Sequence, residues 1–348
     1  MAASGDGSPF ELFSSVRYDV QLREVAGNRE YNYAGWNYRR LSPYYMLDFH
    51  RDRLLRAATH WGWEAAVAVV WGDDGLRRLE QVLNDAVGIG AQSTVPHETL
   101  NEPKRCKITL GHEGKLDVEV SSTPPATLAC LFPLQFPSPG FMLGAGPPVS
   151  NQPISDVPGL MKDMRTAMGK QPYEVIVDAD TTPSSVHTHY KTTRRQMYDA
   201  ARQRAGITGP EPREVLLVNA DNGTIMDGSI TTAYFWRQGI WVTPPVPPRY
   251  AEASGSGGLD GTTRRWSIER IVEEDVIQAS SLRNGEECWI SNGVRGFIYG
   301  RIRLRASHDE ATCFIVICCY LCYYLWICYR RYYYYFCNFT TTLPLFTA

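Results

Sequence analysis

The chain has 348 residues, of which 44% are hydrophobic and 21% are charged, a balance typical of soluble globular enzymes. A chain of this length usually divides its core between two domains. The formal net charge of −2 argues against a protein that binds nucleic acid, because there is no excess of Lys and Arg to neutralise phosphates. The N-terminal residues have neither a basic start nor an apolar core, so we expect no signal peptide.

The cysteines are unevenly distributed. Six of the nine lie between Cys313 and Cys337, which leaves Cys106, Cys130 and Cys288 for the rest of the chain. Three scattered cysteines provide neither a disulfide framework nor the spacing of a metal motif. We therefore predict no metal site and a reducing, cytoplasmic location.

Hydrophobic patterns predict a smaller N-terminal α/β domain over residues 1–160. Leu47, Leu54, Leu55 and Ala58 recur at helical spacing, which predicts an amphipathic helix with a basic side. The other predicted elements are a first strand at 10–20, helices at 64–70 and 75–87, a β-hairpin of strands 107–110 and 115–120, and a Pro- and Gly-rich loop at 124–158.

A second α/β domain is predicted over residues 161–305. Its predicted elements are strands at 174–178 and 214–219, a hairpin of strands 233–236 and 240–243, a glycine-rich loop at 254–263 that leads into a helix from 264, and a strand at 287–291. We predict the α/β (α+β) class for both halves.

Lys191 lies at a predicted change from extended to helical backbone. Residues 186–190 form a β-branched run that predicts extended backbone, and residues 194–202 predict a helix. The lysine would then be held by ordered backbone with its amine free to point into a cleft. Most lysines are solvated surface charges, so Lys191 becomes a candidate only together with the segments that follow it.

Two later turns have the composition of an anion site. The glycine-rich loop at 254–263 opens a helix, where backbone N–H groups lack partners and the helix dipole is positive. The turn at 291–296 follows a strand and can supply further backbone donors. A Gly- and Ser-rich loop is more often simply flexible, so this pattern alone does not identify a phosphate site.

These segments occur in an order that is typical of one enzyme family. The motifs are Tyr-Lys-Thr-Thr-Arg-Arg around Lys191, Asp-Gly-Ser-Ile-Thr-Thr-Ala-Tyr-Phe-Trp from Asp227, Gly-Thr-Thr-Arg-Arg-Trp from Gly261, and Ser-Asn-Gly-Val-Arg-Gly-Phe from Ser291. Over residues 10–304 the chain resembles the class IV pyridoxal-phosphate-dependent aminotransferase family, and within it the fungal aminodeoxychorismate lyases. The resemblance implies a fold-type IV enzyme of the D-amino-acid aminotransferase-like class, with pyridoxal 5′-phosphate in the cleft between two domains.

The resemblance assigns roles at the reactive end of that cofactor. Lys191 matches the lysine that forms the Schiff base and later carries protons. Asp227 matches the carboxylate that faces the pyridine nitrogen and keeps it protonated. The usual residue there is Glu, which is one methylene longer. A turn-forming role for Asp227 and Gly228 is the alternative.

The resemblance also assigns a phosphate site. Arg53 matches the phosphate-binding arginine of the first domain, although its helix face, shared with His50, could simply be solvated. Thr262 and Thr263 match phosphate donors at the start of a helix. Asn292 and Gly293 match the residues on the other side of the phosphate site. Residues expected to meet substrate are Phe13, Arg17 and Arg295, the last of which could instead pair with a surface acid.

Three functions are compatible with these residues. The first is a lyase that converts 4-amino-4-deoxychorismate to 4-aminobenzoate and pyruvate in folate biosynthesis. The second is a class IV aminotransferase acting on branched-chain or D-amino acids. The third is a catalytically impaired relative that binds the cofactor or a partner without turnover. Family members are commonly homodimers, so that assembly is implied for this chain.

Residues 306–348 differ in composition from the rest. An apolar run at 313–328 precedes Arg330, Arg331 and four tyrosines. The run is short for a membrane helix, which needs about 20 apolar residues, and its cysteines lack a metal spacing. A tail anchor is the functional alternative, and membrane association depends on it. We expect a disordered or artefactual segment translated from non-coding sequence.

Overall fold

The structure is a computed structural model that describes residues 9–89, 100–140, 171–252 and 254–304. The predicted domain boundary at residues 160 and 161 lies outside these ranges. Most of the loop predicted at 124–158 and the whole of the segment 306–348 lie outside them as well. These three predictions therefore stay predictions.

The N-terminal sheet consists of β1 (Leu12–Tyr18), β2 (Lys104–Leu110) and β3 (Leu116–Ser122), which pair antiparallel in that order. The predicted strand and hairpin are confirmed. Side chains alternate between the two faces of a strand. On one face Val16 and Ile108 are fully buried in the core, so the opposite face of β1 and β2 is free to line a site.

Helices cover the core face of this sheet. They are α1 (Trp36–Arg39), α2 (Leu47–His60), α3 (Glu64–Val70) and α4 (Gly72–Val87). The three predicted helices are confirmed as α2 to α4. In α2, Leu47, Leu54 and Ala58 are fully or almost fully buried, as their helical spacing requires. The same spacing turns His50 and Arg53 inward, where neither is solvated.

The second sheet has eight strands among the described residues, in the order β6-β5-β4-β11-β10-β7-β8-β9. They are β4 (Tyr173–Thr182), β5 (Arg213–Asn219), β6 (Ile225–Gly228), β7 (Thr232–Arg237), β8 (Ile240–Thr243), β9 (Glu273–Glu274), β10 (Glu287–Asn292) and β11 (Gly296–Arg303). The short helix α5 (Leu128–Leu131) precedes them. Helices α6 (Val186–His189), α7 (Gln196–Arg204) and α8 (Thr262–Ile268) lie between strands.

The prediction of extended backbone at residues 186–190 is wrong. Val186–His189 is one helical turn, because Ser185 and Thr188 form a capping box that satisfies the first backbone N–H groups. The turn at 190–195 then joins α6 to α7. Lys191 is held there by backbone pairing with β1: the Phe13 amide donates to the Lys191 carbonyl oxygen at 3.0 Å.

Aromatic packing fixes the strands that carry the later motifs. Trp266 of α8, Trp289 of β10 and Phe297 of β11 are each at most 1% exposed and share one hydrophobic core. Phe136 stacks on Trp289 with ring centroids 5.0 Å apart. The starts and ends of these elements are therefore held in fixed relative positions. Within the described ranges, no helix is long and apolar enough to span a membrane.

Candidate active site

A cavity of about 1100 Å³ is lined by residues of both sheets. Nine of the ten predicted site residues contribute to its wall: Phe13, Arg53, Lys191, Asp227, Thr262, Thr263, Asn292, Gly293 and Arg295. They come from six separate parts of the chain, so the fold brings them together rather than local sequence. The exception is Arg17.

Lys191 presents its amine to this cavity. The Nζ atom lies 4.8 Å from the centre of the Phe13 ring, which forms an apolar wall beside it. Burial lowers the pKa of Lys191 well below its ordinary value, and the guanidinium groups of Arg53 and Arg195 lower it further. A lowered pKa increases the neutral fraction of the amine, and only the neutral form can act as a nucleophile or a base.

Asp227 is the one acidic side chain that lines the cavity among the described residues. It is 5% exposed and lies in β6, near the end of the strand. Burial raises the pKa of Asp227 to about 8; the Gly228 N–H bond and Lys191 oppose that rise, and Glu214 adds to it. A cation placed against this carboxylate would remove much of the cost of ionising it.

Arg53 contributes a guanidinium group to the cavity wall. It is 9% exposed, and burial lowers the pKa of its guanidinium to about 10, which leaves it charged at neutral pH. Its Nη2 donates to the Ser14 hydroxyl, whereas its Nε is buried without a hydrogen-bond partner. One side of the guanidinium is therefore anchored and the other is unsatisfied.

Two more unsatisfied polar atoms lie next to Gly293. The buried Thr262 Oγ1 and His50 Nε2 have no hydrogen-bond partner. A Cβ built on Gly293 would lie 2.9 Å from Thr262 Oγ1 and 2.7 Å from His50 Nε2. Buried polar groups are almost always paired in folded proteins, so a cluster of unpaired ones marks a place where a polar ligand belongs.

Thr263 and Asn292 shape this end of the cavity through bonds within the protein. Thr263 Oγ1 accepts from the Ser291 hydroxyl at 2.7 Å. Asn292 Oδ1 accepts the backbone N–H groups of Val294 and Arg295 at 3.0 and 2.9 Å, and its amide donates to Ile230 O. These side chains fix the turn that places Gly293.

The three predicted substrate residues have different positions. Phe13 packs beside Lys191, and Arg295 lines the cavity while donating to the Tyr173 hydroxyl at 2.9 Å. Arg17 does not line the cavity, contrary to the prediction. Its side chain is fully buried, and it donates to the carboxylate of Asp19 and to the carbonyl oxygens of Pro124 and Val294. All donor groups of Arg17 therefore bind within the protein, and two of its acceptors, Pro124 and Val294, belong to residues that line the cavity.

Sequence reasoning missed three basic residues of the cavity. Arg105 and Lys107 lie two apart on β2 and face the cavity together, and Arg195 lies just before α7. Strand alternation could have placed Arg105 and Lys107 on one face, but not shown which face meets the cleft. The described lining thus has six basic residues, namely Arg53, Arg105, Lys107, Lys191, Arg195 and Arg295, against Asp227 alone. Such a cavity favours anionic ligands.

Comparison with known proteins supports the earlier resemblance. Residues 159–301 match the family model described as amino-transferase class IV. The aminodeoxychorismate lyase of Saccharomyces cerevisiae is 32% identical over 146 residues, which are 38% of this chain and 38% of that enzyme. The aligned segment thus spans well under half the length of the curated relative. The resemblance to the class IV family is confirmed.

The fold is shared with a solved structure. The crystal structure titled "Putative amino-acid aminotransferase from Mesorhizobium loti" matches with a TM-score of 0.51 at 19% sequence identity. The match covers 84% of this chain and 100% of that chain. At this identity the similarity shows the fold alone, and it confirms the predicted α/β fold class.

Proposed function

We propose that this chain, which carries the class IV amino-transferase match at residues 159–301, is a pyridoxal-phosphate-dependent aminodeoxychorismate lyase. It would convert 4-amino-4-deoxychorismate to 4-aminobenzoate and pyruvate, a step of folate biosynthesis. The observation that carries the proposal is the arrangement of one cavity: an amine with a lowered pKa at Lys191, the carboxyl group of Asp227 and a set of unsatisfied donors beside Arg53.

The donor set fits a phosphate group. Arg53 Nε and Thr262 Oγ1 are buried without partners, and the missing side chain of Gly293 leaves its backbone open to close approach. A phosphate accepts several hydrogen bonds at once and matches the fork of an arginine. Arg53, Thr262 and the backbone around Gly293 would therefore hold the phosphate.

Lys191 would act as nucleophile and then as proton carrier. When bound through this lysine, the cofactor supplies an electron sink for the substrate carbon that bears the amine. Burial and two arginines lower the pKa of this amine, which favours the neutral form that can take the ring proton from that carbon. The same amine can return the proton to the departing enolpyruvyl carbon.

Asp227 would hold the far side of the cofactor ring. Its carboxylate ionises readily once a pyridinium cation lies against it, and the pair then keeps that nitrogen protonated. Asp is one methylene shorter than the Glu usual in the family. Glu214 holds the turn after Asp227 through four hydrogen bonds and so fixes the position of the shorter side chain.

The charge of the cavity favours a substrate with two carboxylates. Aminodeoxychorismate carries one on the ring and one on the enolpyruvyl group, whereas a branched-chain amino acid carries one. Arg105, Lys107 and Arg295 line the cavity in addition to the basic residues assigned above. In the reaction the bond between the ring carbon and the enolpyruvyl oxygen breaks, the ring becomes aromatic, and the released enol becomes pyruvate.

Two measurements test the proposal. Purified protein supplied with the cofactor should absorb in the visible, and Lys191→Ala should not, with Lys107→Ala as a control in the same cavity. The protein should release 4-aminobenzoate and pyruvate in equal amounts from aminodeoxychorismate. Amino transfer from an amino acid to 2-oxoglutarate without lyase activity would favour the aminotransferase instead. A colourless wild-type protein would point to the catalytically impaired relative.

A further inference from the structure

Arg53 is linked to a second buried residue through a hydroxyl group. Its Nη2 donates to Ser14 Oγ, and Ser14 Oγ lies 2.7 Å from His50 Nδ1. Arg53 and His50 are neighbours on α2, and Ser14 projects from β1 toward both. Ser14 and His50 are fully buried, so water does not compete for these bonds.

The direction of the bonds follows from the donors available. A guanidinium can only donate, so the Ser14 oxygen accepts from Arg53. Arg53 Nη2 also lies 3.4 Å from His50 Nδ1 and can only donate to it, so Nδ1 is an acceptor and takes the hydroxyl proton of Ser14. His50 therefore carries its own proton on Nε2 and is neutral. Burial and the charges of Arg53 and Lys191 lower the pKa of His50 well below its ordinary value, in agreement with that state.

On its other edge the His50 imidazole packs against the turn that contains Gly293. A Cβ on Gly293 would lie 2.6 Å from His50 Cε1 and 2.7 Å from Nε2, both closer than real Cβ contacts. Only glycine lets the turn and the imidazole approach this closely. The ring is thus wedged between Ser14 and Gly293, and it has little freedom to rotate away from Ser14.

The consequence for Arg53 is a fixed orientation. An arginine side chain loses rotamer entropy when it is ordered. In this site Ser14 already holds Nη2, while Nε has no partner. A ligand that binds at the open side meets a guanidinium that is already oriented.

We propose that Ser14 and His50 are positioning residues that orient Arg53 toward the phosphate group of the cofactor. The inference rests on the proposed function, in which Arg53 is the phosphate ligand. Neither residue touches the reacting atoms.

The experiment compares pyridoxal 5′-phosphate with pyridoxal, which lacks the phosphate. Apoprotein is titrated with each aldehyde, and Kd is read from visible absorbance for wild type and for Ser14→Ala, His50→Leu, His50→Asn and Arg53→Met. The expected result for Ser14→Ala and His50→Leu is a loss of about tenfold in affinity for the phosphorylated aldehyde, with pyridoxal unchanged within about threefold. His50→Asn should recover most of the loss, because its Oδ1 can accept from Ser14 in place of Nδ1.

Arg53→Met separates the two hypotheses. If Arg53→Met loses phosphate preference but Ser14→Ala and His50→Leu keep it, the positioning inference is overturned and the proposed phosphate site stands. An equal loss of affinity for both aldehydes in Ser14→Ala and His50→Leu would also overturn it, because that pattern indicates general damage to the fold. If Arg53→Met keeps the preference, the phosphate site itself is wrong.

Discussion

The carboxylate of Glu214 accepts both the amide N–H and the hydroxyl of Ser229, at 3.1 and 2.5 Å. Its second oxygen accepts from Ile230 N and Thr231 Oγ1, so Glu214 closes the turn that follows Asp227. The turn is tied to the cavity wall, because Ser229 O accepts from Arg195 at 2.9 Å. The position of Asp227 is therefore set by a second buried carboxylate.

Glu214→Gln should loosen this turn. The amide that replaces one carboxylate oxygen cannot accept from Ile230 N and Thr231 Oγ1, and an unsatisfied buried group costs about 1–3 kcal/mol. We expect the free energy of unfolding to fall by about that amount in urea titrations. The substitution also removes a negative charge that raises the pKa of Asp227, so this pKa should fall. An unchanged free energy of unfolding would show that the turn does not depend on Glu214.

Gly293→Ala should damage the phosphate end of the cavity. Its Cβ would lie within 3 Å of His50 and Thr262, which are both fully or almost fully buried and cannot move away freely. Overpacking of this kind typically costs about 1–3 kcal/mol. In Gly293→Ala, the affinity for pyridoxal 5′-phosphate, measured by absorbance titration, should fall at least about tenfold.

The matched control for this change is Gly209→Ala. A Cβ on Gly209 meets nothing within 4 Å, and its backbone is not in the left-handed region. Its free energy of unfolding should stay within about 0.5 kcal/mol of the wild-type value. Equal cofactor affinity in both alanine variants would mean that close approach at Gly293 is not needed.

Local sequence predicted most elements because their patterns are strong. The leucine spacing in α2 and the alternation in β2 and β3 each required only neighbouring residues. The wrong prediction at residues 186–190 has a local cause too. The β-branched composition suggested a strand, and the prediction did not consider that Ser185 caps a helical turn. Strand β11 was not predicted, because its glycines weaken the strand pattern and its pairing with β4 is nonlocal.

Site residues could be predicted from the sequence only where they lie in a family motif. Lys191 and Asp227 stand in family motifs, whereas Arg105 lies in an ordinary hairpin whose cavity-facing side depends on how the sheet packs. Glu214 looks like the start of an apolar strand, and its role appears only when the turn at 228–231 folds back onto it. Arg17 was expected to meet substrate from the first domain, but it donates to buried acceptors and does not line the cavity.

Asp227 should make the stability of the apoprotein depend on pH. Its pKa is about 8 in the folded state and about 4 in the unfolded chain. Between these values the folded protein holds a proton that the unfolded chain has lost, so the free energy of unfolding falls as pH rises from 4 to 8. Asp227→Asn cannot titrate and keeps an oxygen acceptor for the Gly228 N–H.

The measurement is urea unfolding of both apoproteins at pH 5 and pH 8. The free energy of unfolding of Asp227→Asn, relative to wild type, should be higher at pH 8 than at pH 5 by more than about 1 kcal/mol. A difference that is the same at both pH values would mean that Asp227 ionises normally in the folded protein.

Lys191 should react as a neutral amine at pH values where other lysines are charged. Reductive methylation of the apoprotein by formaldehyde and cyanoborohydride follows the unprotonated fraction, and peptide mass spectrometry reports each lysine separately. Burial, Arg53 and Arg195 lower the pKa of Lys191, so its labelling rate should change by less than about threefold between pH 7 and pH 9. Lys115 is the internal control: its hydrogen bond to Asp117 raises its pKa, and its rate should increase about tenfold per pH unit.

Arg195→Met tests the cause of that shift. Removing one of the two nearby cations should raise the pKa of Lys191, so labelling at pH 7 should slow while labelling at pH 9 stays close to wild type. The Lys115 rate in the same sample corrects for differences in reagent. If Lys191 in the wild-type protein labels with the same pH dependence as Lys115, its amine is protonated at neutral pH. The proposed roles as nucleophile and base would then lose their physical support, because both need a free electron pair on that nitrogen.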